Sequence, residues 1–230
     1  MKQDLRLLLS LSLPTALVAV GILVLHDVRW AFLLYVFGGC LLGPWILLRA
    51  SPLHTGRGLP WREPPTARSR RVSFGAFLVF GPLFLAIYAL VQPHLGRADL
   101  YLARLRDLGW HDAHQGFYAL AFVMLIPLAE EWWWRGQALP RCVTRFGRRR
   151  GILLTASGFA AYHWLTLSSL YDPLPAALRW TAIALVGLLW TWLASHRRSW
   201  QVPYFAHLAA DLAVVAAFFL FVRPEAAALG

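Results

Sequence analysis

Charge is scarce in this chain. Only 14% of its 230 residues are Asp, Glu, Lys or Arg and 59% are hydrophobic, whereas a soluble domain carries about 25% charged residues. That balance excludes an ordinary soluble domain. Acids are scarcer still, 11 against 22 basic residues, leaving a net charge of +11. On a soluble protein such an excess would point to nucleic acid. Here the arginines cluster between apolar runs, so nucleic acid is set aside and the excess reads as the positive-inside signal of a membrane protein. Lysine is all but missing, with Lys2 alone among the 22, a bias expected of a GC-rich bacterial genome and hence of an inner (plasma) membrane protein. The two cysteines, Cys40 and Cys142, are too few for a disulfide framework and lack metal-ligand spacing. Each reads as a small apolar residue of a helix. There is no HExxH zinc signature, no long internal repeat and no low-complexity segment.

What the chain has instead is apolar runs of the length that crosses a bilayer, about 20 residues. Seven can be drawn: 7–25, 30–48, 74–91, one from near Phe117 to around Pro140, 152–167, 176–194 and 202–222. The expected fold class is therefore all-α, a polytopic membrane protein of about seven transmembrane helices. It would form one domain over 1–230, with N-terminal spans and an interfacial segment to 115 and a motif-bearing core over 116–222. The first run exceeds a signal-peptide apolar region of about 7–15 residues and has no small-residue cleavage site, so it is expected to stay. Residues 49–71, with Pro, Gly and six arginines, read as a solvated loop. Residues 99–110 set Leu100, Leu102, Leu105 and Leu108 among charges, the pattern of a short amphipathic helix at the interface. Counting Lys and Arg in alternate loops puts fifteen on one side and six on the other, with Arg135 left over. That split places the N-terminus in the cytoplasm and the C-terminus outside.

Inside the fourth run lies LAEEWWWRG, residues 128–136. Ionisable groups at membrane depth are costly and mark functional sites. Glu131 and Arg135 are four apart, acid first, and so share a helix face as a favourable pair. Glu130 is turned about 100° away and has no partner in its own helix, which leaves it available for chemistry. Pro127, three residues earlier, lacks an N–H and is expected to kink the helix beside Glu130. Trp132, Trp133 and Trp134 read as lipid-facing or interfacial, with one ring able to wall the site. Two later helices answer this one. His163 lies deep in the fifth run, in FAAYH, with Phe159 as a core residue, and His207 and Asp211 share a face in HLAAD. Taken singly, the acids read as an interfacial pair, and the histidines and Asp211 as polar contacts between packed helices. Together, on three helices, packing alone does not account for them.

These three motifs carry a resemblance. EEWWWR matches the EExxxR motif of the CAAX protease and bacteriocin-processing (CPBP) family, also called the abortive-infection family. FAAYH matches its FxxxH motif and HLAAD its HxxxN or HxxxD motif, in the family's order, from about Ala129 to Asp211. The family includes the Ras-converting CAAX endopeptidase and many bacterial membrane proteases, myxosortase-type enzymes among them. The resemblance implies an all-helical intramembrane endopeptidase with an active-site cavity, cutting a peptide or membrane-protein tail; a C-terminal sorting tail and a prenylated tail both stay open. It implies that Glu130 and His163 activate water, that His207 and Asp211 support the oxyanion, and that Glu131 and Arg135 hold the site together. Asp211 stands where the eukaryotic branch has Asn. No cofactor is favoured; were a divalent metal such as zinc used, Glu130, His163, His207 and Asp211 would be its ligands. Chemistry agrees independently, since amide hydrolysis needs a base for water and a donor for the oxyanion. Two other readings remain. A proton-coupled transporter would use Glu130 and the histidines as a relay, but would more readily show two matching halves. A non-catalytic scaffold or immunity protein would not need the complete motif triple.

Overall fold

With no water inside a bilayer to satisfy the backbone, an apolar chain meets its own hydrogen bonds as helices. The computed structural model describes residues 2–48, 67–95, 97–110, 115–197 and 199–224, and among them there is no strand. Helix α1 (Lys2–Ala19) runs on through wider π-type turns over Val20–Val24. After a short turn come α2 (Val28–Leu33), a π segment (Leu34–Leu42) and α3 (Gly43–Leu48). Helix α4 (Ala67–Leu95) and the short α5 (Ala98–Asp107) follow. Then α6 (Gln115–Glu130) passes through a π segment (Glu131–Ala138) into α7 (Leu139–Phe146). Helices α8 (Arg148–Leu170), α9 (Pro173–Arg197) and α10 (Gln201–Ala217) complete the bundle, with a last π segment over Phe218–Val222. Most of the arginine-rich loop read at 49–71 lies outside the described residues; its last residues, from Ala67, already belong to α4.

Among the described residues, five helical stretches are long and apolar enough to cross a membrane: Gln3–Val24, Val28–Leu48, Arg70–Val91, Pro173–Arg197 and Gln201–Val222. The all-α polytopic fold stands, but the count of seven does not follow from it. The two stretches that drop out carry the first two of the three motifs. Glu130, Glu131 and Arg135 interrupt the apolar run that begins in α6, and α8 is diluted by Thr155, Ser157, Tyr162 and His163. Polar residues that build a site lower the signal that marks a span.

The lipid-facing sides are apolar and exposed: Leu78, Val79, Leu83, Ile87 and Leu90 on α4, and Leu185, Leu189 and Trp192 on α9. The centre is different. Helix α10 packs on α4, α6 and α9, while α8 packs on α1, α7 and α9. The motif helices are thus the inner ones. One residue, Gly147, at φ +80° where side chains are strained, reverses the chain between α7 and α8. Helix α5 has the amphipathic form its leucines call for, with Leu102 and Leu105 buried. It anchors the α1–α2 corner, where the Val28 N–H donates to the Leu108 carbonyl at 2.8 Å. At that corner Asp27 caps α2, accepting from the Arg29 N–H at 2.7 Å.

Candidate active site

Local backbone geometry sets the acids. The helix runs through Pro127 without breaking, and the change comes four residues later, where Glu131–Ala138 widens to π geometry. A π turn fits one more residue per turn and often marks a functional site. Here it buries nearly the whole circumference: Glu131, Trp133, Trp134, Arg135, Gly136 and Ala138 are all inside. The tryptophan run is therefore mostly core, not a lipid-facing belt, for Trp133 and Trp134 are both 0% exposed. The Trp134 indole N–H donates to the Tyr35 hydroxyl at 3.4 Å, and its ring meets Phe159 edge-on. Gly158 makes room, since a Cβ there would lie 2.7 Å from Trp134 Cζ3.

Glu131 and Arg135 are both fully buried, and Arg135 Nη1 donates to Glu131 Oε1 at 2.8 Å. The guanidinium is held further by the Gly187 carbonyl of α9 at 3.2 Å and lies 4.2 Å above the Phe159 ring. A buried cation needs this many partners to offset its lost hydration. A Cβ at Gly187 would sit 2.6 Å from Phe159 Cδ1, so that glycine lets the ring lie under the charge. Phe159 is a core residue, as expected, and also the floor of the site.

Glu131 does a second thing that sequence spacing does not reveal. Its Oε1 also meets His207 Nδ1 at 2.9 Å, across from α10. An ionised carboxylate only accepts, so His207 Nδ1 carries the hydrogen and Nε2 is turned the other way. Nε2 lies 3.7 Å from Glu130 Oε2 and 3.7 Å from Asp211 Oδ1, beyond hydrogen-bonding length. The Trp190 ring stacks on His207 at 4.7 Å. Arg135, Glu131 and His207 thus form a chain in which each member orients the next, the logic by which a buried carboxylate orients a histidine.

Glu130 sits on the other side of Nε2, 1% exposed. Its Oε1 accepts a hydrogen bond from the Tyr162 hydroxyl. Its Oε2, like Glu131 Oε2 and Asp211 Oδ2, is buried with no hydrogen-bond partner. Three such oxygens in one place are uncommon in a folded protein and call for a functional explanation. His163 does not touch Glu130 directly. Its Nε2 faces the Tyr162 hydroxyl at 3.0 Å and its Nδ1 the Phe159 carbonyl at 2.8 Å. The sequence reading missed Tyr162 and Tyr35. The signal was present, a tyrosine next to the motif histidine, but which neighbour a tyrosine meets is not written in helical spacing.

All six sequence-picked residues thus lie in one cluster. Both His163 nitrogens are engaged, and so is His207 Nδ1, which leaves His207 Nε2 and the unpartnered oxygens of Glu130, Glu131 and Asp211 as the open donors. Among the described residues no group of three or more His, Cys, Asp and Glu converges as ligands would. Cys40 and Cys142 are free and buried, in keeping with small apolar helix residues.

No curated protein and no solved structure matches the chain. A family model does: residues 112–213 match that of the type II CAAX prenyl endopeptidase Rce1-like family. That stretch opens just before α6 and closes just after Asp211, so it takes in all three motif helices and the whole cluster. Over these residues the chain is similar to the CAAX prenyl endopeptidase family.

Proposed function

We propose that the chain cuts a peptide bond in a membrane-protein or peptide tail with Glu130 as the base, without a metal. The observation that carries this reading is Glu130 Oε2, a buried carboxylate oxygen with no partner, facing His207 Nε2. In the reaction, the oxygen of a water attacks the scissile carbonyl carbon while its proton passes to Glu130 Oε2. The oxyanion so formed takes hydrogen bonds from the His207 imidazolium Nε2–H and from a protonated Asp211. When the C–N bond breaks, the proton on Glu130 goes to the departing amine. Glu131 and Arg135 hold His207 in place and do not touch the substrate. The Arg135–Glu131–His207 chain favours this division of labour, because it leaves Glu130 as the carboxylate free of an arginine.

The test is direct. Wild type and Glu130→Gln are reconstituted in lipid vesicles and given tail peptides of one sequence, farnesylated and plain, with products read by mass spectrometry. Wild type should release a C-terminal fragment. Glu130→Gln should release none while unfolding at the wild-type temperature. Preference between the two peptides tells a prenylated tail from an unmodified one. Wild-type cleavage by Glu130→Gln would sink the assignment.

A further inference from the structure

Tyr162 stands between the two groups that the family resemblance pairs on water. Its hydroxyl donates to Glu130 Oε1 and also faces His163 Nε2 at 3.0 Å. A tyrosine hydroxyl has one proton and can donate to one partner at a time. His163 Nδ1 lies 2.8 Å from the Phe159 carbonyl, within its own helix. A carbonyl only accepts, so Nδ1 carries a hydrogen, an assignment from the hydrogen-bond network. What Nε2 does then depends on charge. An imidazolium donates its Nε2–H to the Tyr162 oxygen. A neutral His163 has a bare Nε2 and needs the Tyr162 proton.

Only two arrangements fill every hydrogen bond in this chain of three. In the first, His163 is an imidazolium donating to Tyr162, and Tyr162 donates to an anionic Glu130. In the second, Glu130 is protonated and donates to Tyr162, and Tyr162 donates to a neutral His163. The two hold the same number of protons. They interconvert when one proton moves from His163 Nε2 to the Tyr162 oxygen and another from that oxygen to Glu130 Oε1. Nothing enters or leaves.

We propose that Tyr162 is a positioning residue that relays protons between His163 and Glu130, so that His163 sets the charge on the base and acts on water only through it. The proposal rests on the reading of Glu130 as the base. With its two nitrogens committed to Phe159 and Tyr162, His163 has no free edge for a substrate. The other ionisable groups packed around the chain of three are Tyr35 and Cys40 of the Leu34–Leu42 segment, Glu131 and Arg135, and His207 and Asp211 of α10. The Tyr35 ring lies tilted against the Tyr162 ring, with centroids 4.3 Å apart.

The experiment is a double-mutant cycle on the reconstituted enzyme, Tyr162→Phe with His163→Ala, read as kcat and KM on the tail peptide. Phe keeps the buried ring and removes the hydroxyl. Tyr162→Phe should lower kcat by about 10²-fold, the low end for positioned proton transfer, with KM unchanged. His163→Ala should then cost little more in that background, since both changes cut one path. Full kcat in Tyr162→Phe, or an undiminished cost of His163→Ala in it, would overturn the relay. Should Phe fail to fold, fluorinated tyrosines of graded acidity at 162 keep ring and hydroxyl; kcat should track acidity, and a flat series overturns the proposal. A second arm needs no activity. The ¹⁵N shift of His163 Nε2 should respond to Glu130→Gln when Tyr162 is present and much less in Tyr162→Phe. An equal response in both overturns the relay. If wild type cleaves nothing, the base reading falls, and this arm still decides the relay.

Discussion

At the scale of single residues, the site is a set of buried ionisable groups each held by a stated partner, and the consequences of removing them differ. Arg135 is fully buried against Glu131 and the Gly187 carbonyl. Arg135→Ala strands the Glu131 carboxylate and frees His207, so it should lower stability by about 3–5 kcal/mol and abolish cleavage. Denaturant unfolding in detergent measures the first and the peptide assay the second. Asp211 gives a sharper test, of metal against no metal. As an oxyanion donor it must be protonated, whereas Asn donates at any pH. Asp211→Asn should therefore keep activity and lose it less as pH rises. Asp211→Ala should lose about 10²–10³ in rate, the cost of one oxyanion contact. A metal ligand would behave differently, because an amide is a poor replacement for a carboxylate on a hard cation. Loss of rate in Asp211→Asn, together with loss in chelated wild type restored by zinc, would establish metal dependence instead.

At the scale of elements, what matters is how closely the inner helices approach. Gly187 of α9 lies against Phe159 of α8, and Gly158 of α8 against Trp134. Gly187→Ala would put a methyl 2.6 Å from Phe159 Cδ1. The ring would have to move from under Arg135, at an overpacking cost of about 1–3 kcal/mol. The expected outcome is a lower unfolding midpoint and a lower kcat, neither rescued by peptide concentration. The α1–α2 corner is a contrasting case. Hydrogen bonding from Arg29 holds the Asp27 carboxyl below its ordinary range. A depressed acid adds stability that is present above its unfolded value and lost as pH falls through its folded one. The corner should thus weaken only in strong acid. Asp27→Ala should remove that loss, and with it a cap worth about 1 kcal/mol, as read from unfolding midpoints against pH.

At the scale of the whole molecule, the charge distribution predicts orientation. Among the described residues five stretches meet the length and hydropathy of a span, and an odd number of crossings, five or seven, puts the two ends on opposite sides. The fifteen-to-six charge split predicts the N-terminus in the cytoplasm. Reporter fusions after Arg71, Arg150 and Arg198 should report the cytoplasm and one at the C-terminus the outside. A cytoplasmic C-terminus would take away one crossing. Fusions between α6 and α8 are the informative ones, because those inner helices carry the polar residues of the site.

Sequence alone determined a good deal of this. Hydropathy, which depends only on composition along the chain, made the protein helical and membrane-bound. Spacing of four fixed Glu131 beside Arg135 and His207 beside Asp211, because one helical turn is a local property. The three motifs carried the family resemblance. Tertiary structure decided the rest. Where α8 and α10 meet the π segment determines that Glu131 holds His207, that Tyr162 joins Glu130 to His163, and that Trp133 and Trp134 are core. The Tyr162–Glu130 and Glu131–His207 contacts join residues 32 and 76 positions apart, and no periodicity encodes which faces of distant helices will touch. The π widening after Glu130 is likewise a product of packing, since it turns buried side chains inward on nearly every face. Two of the seven apolar runs fall short of the span signal for the same physical reason: residues that meet one another across helices make each helix, read by itself, look less like a membrane crossing.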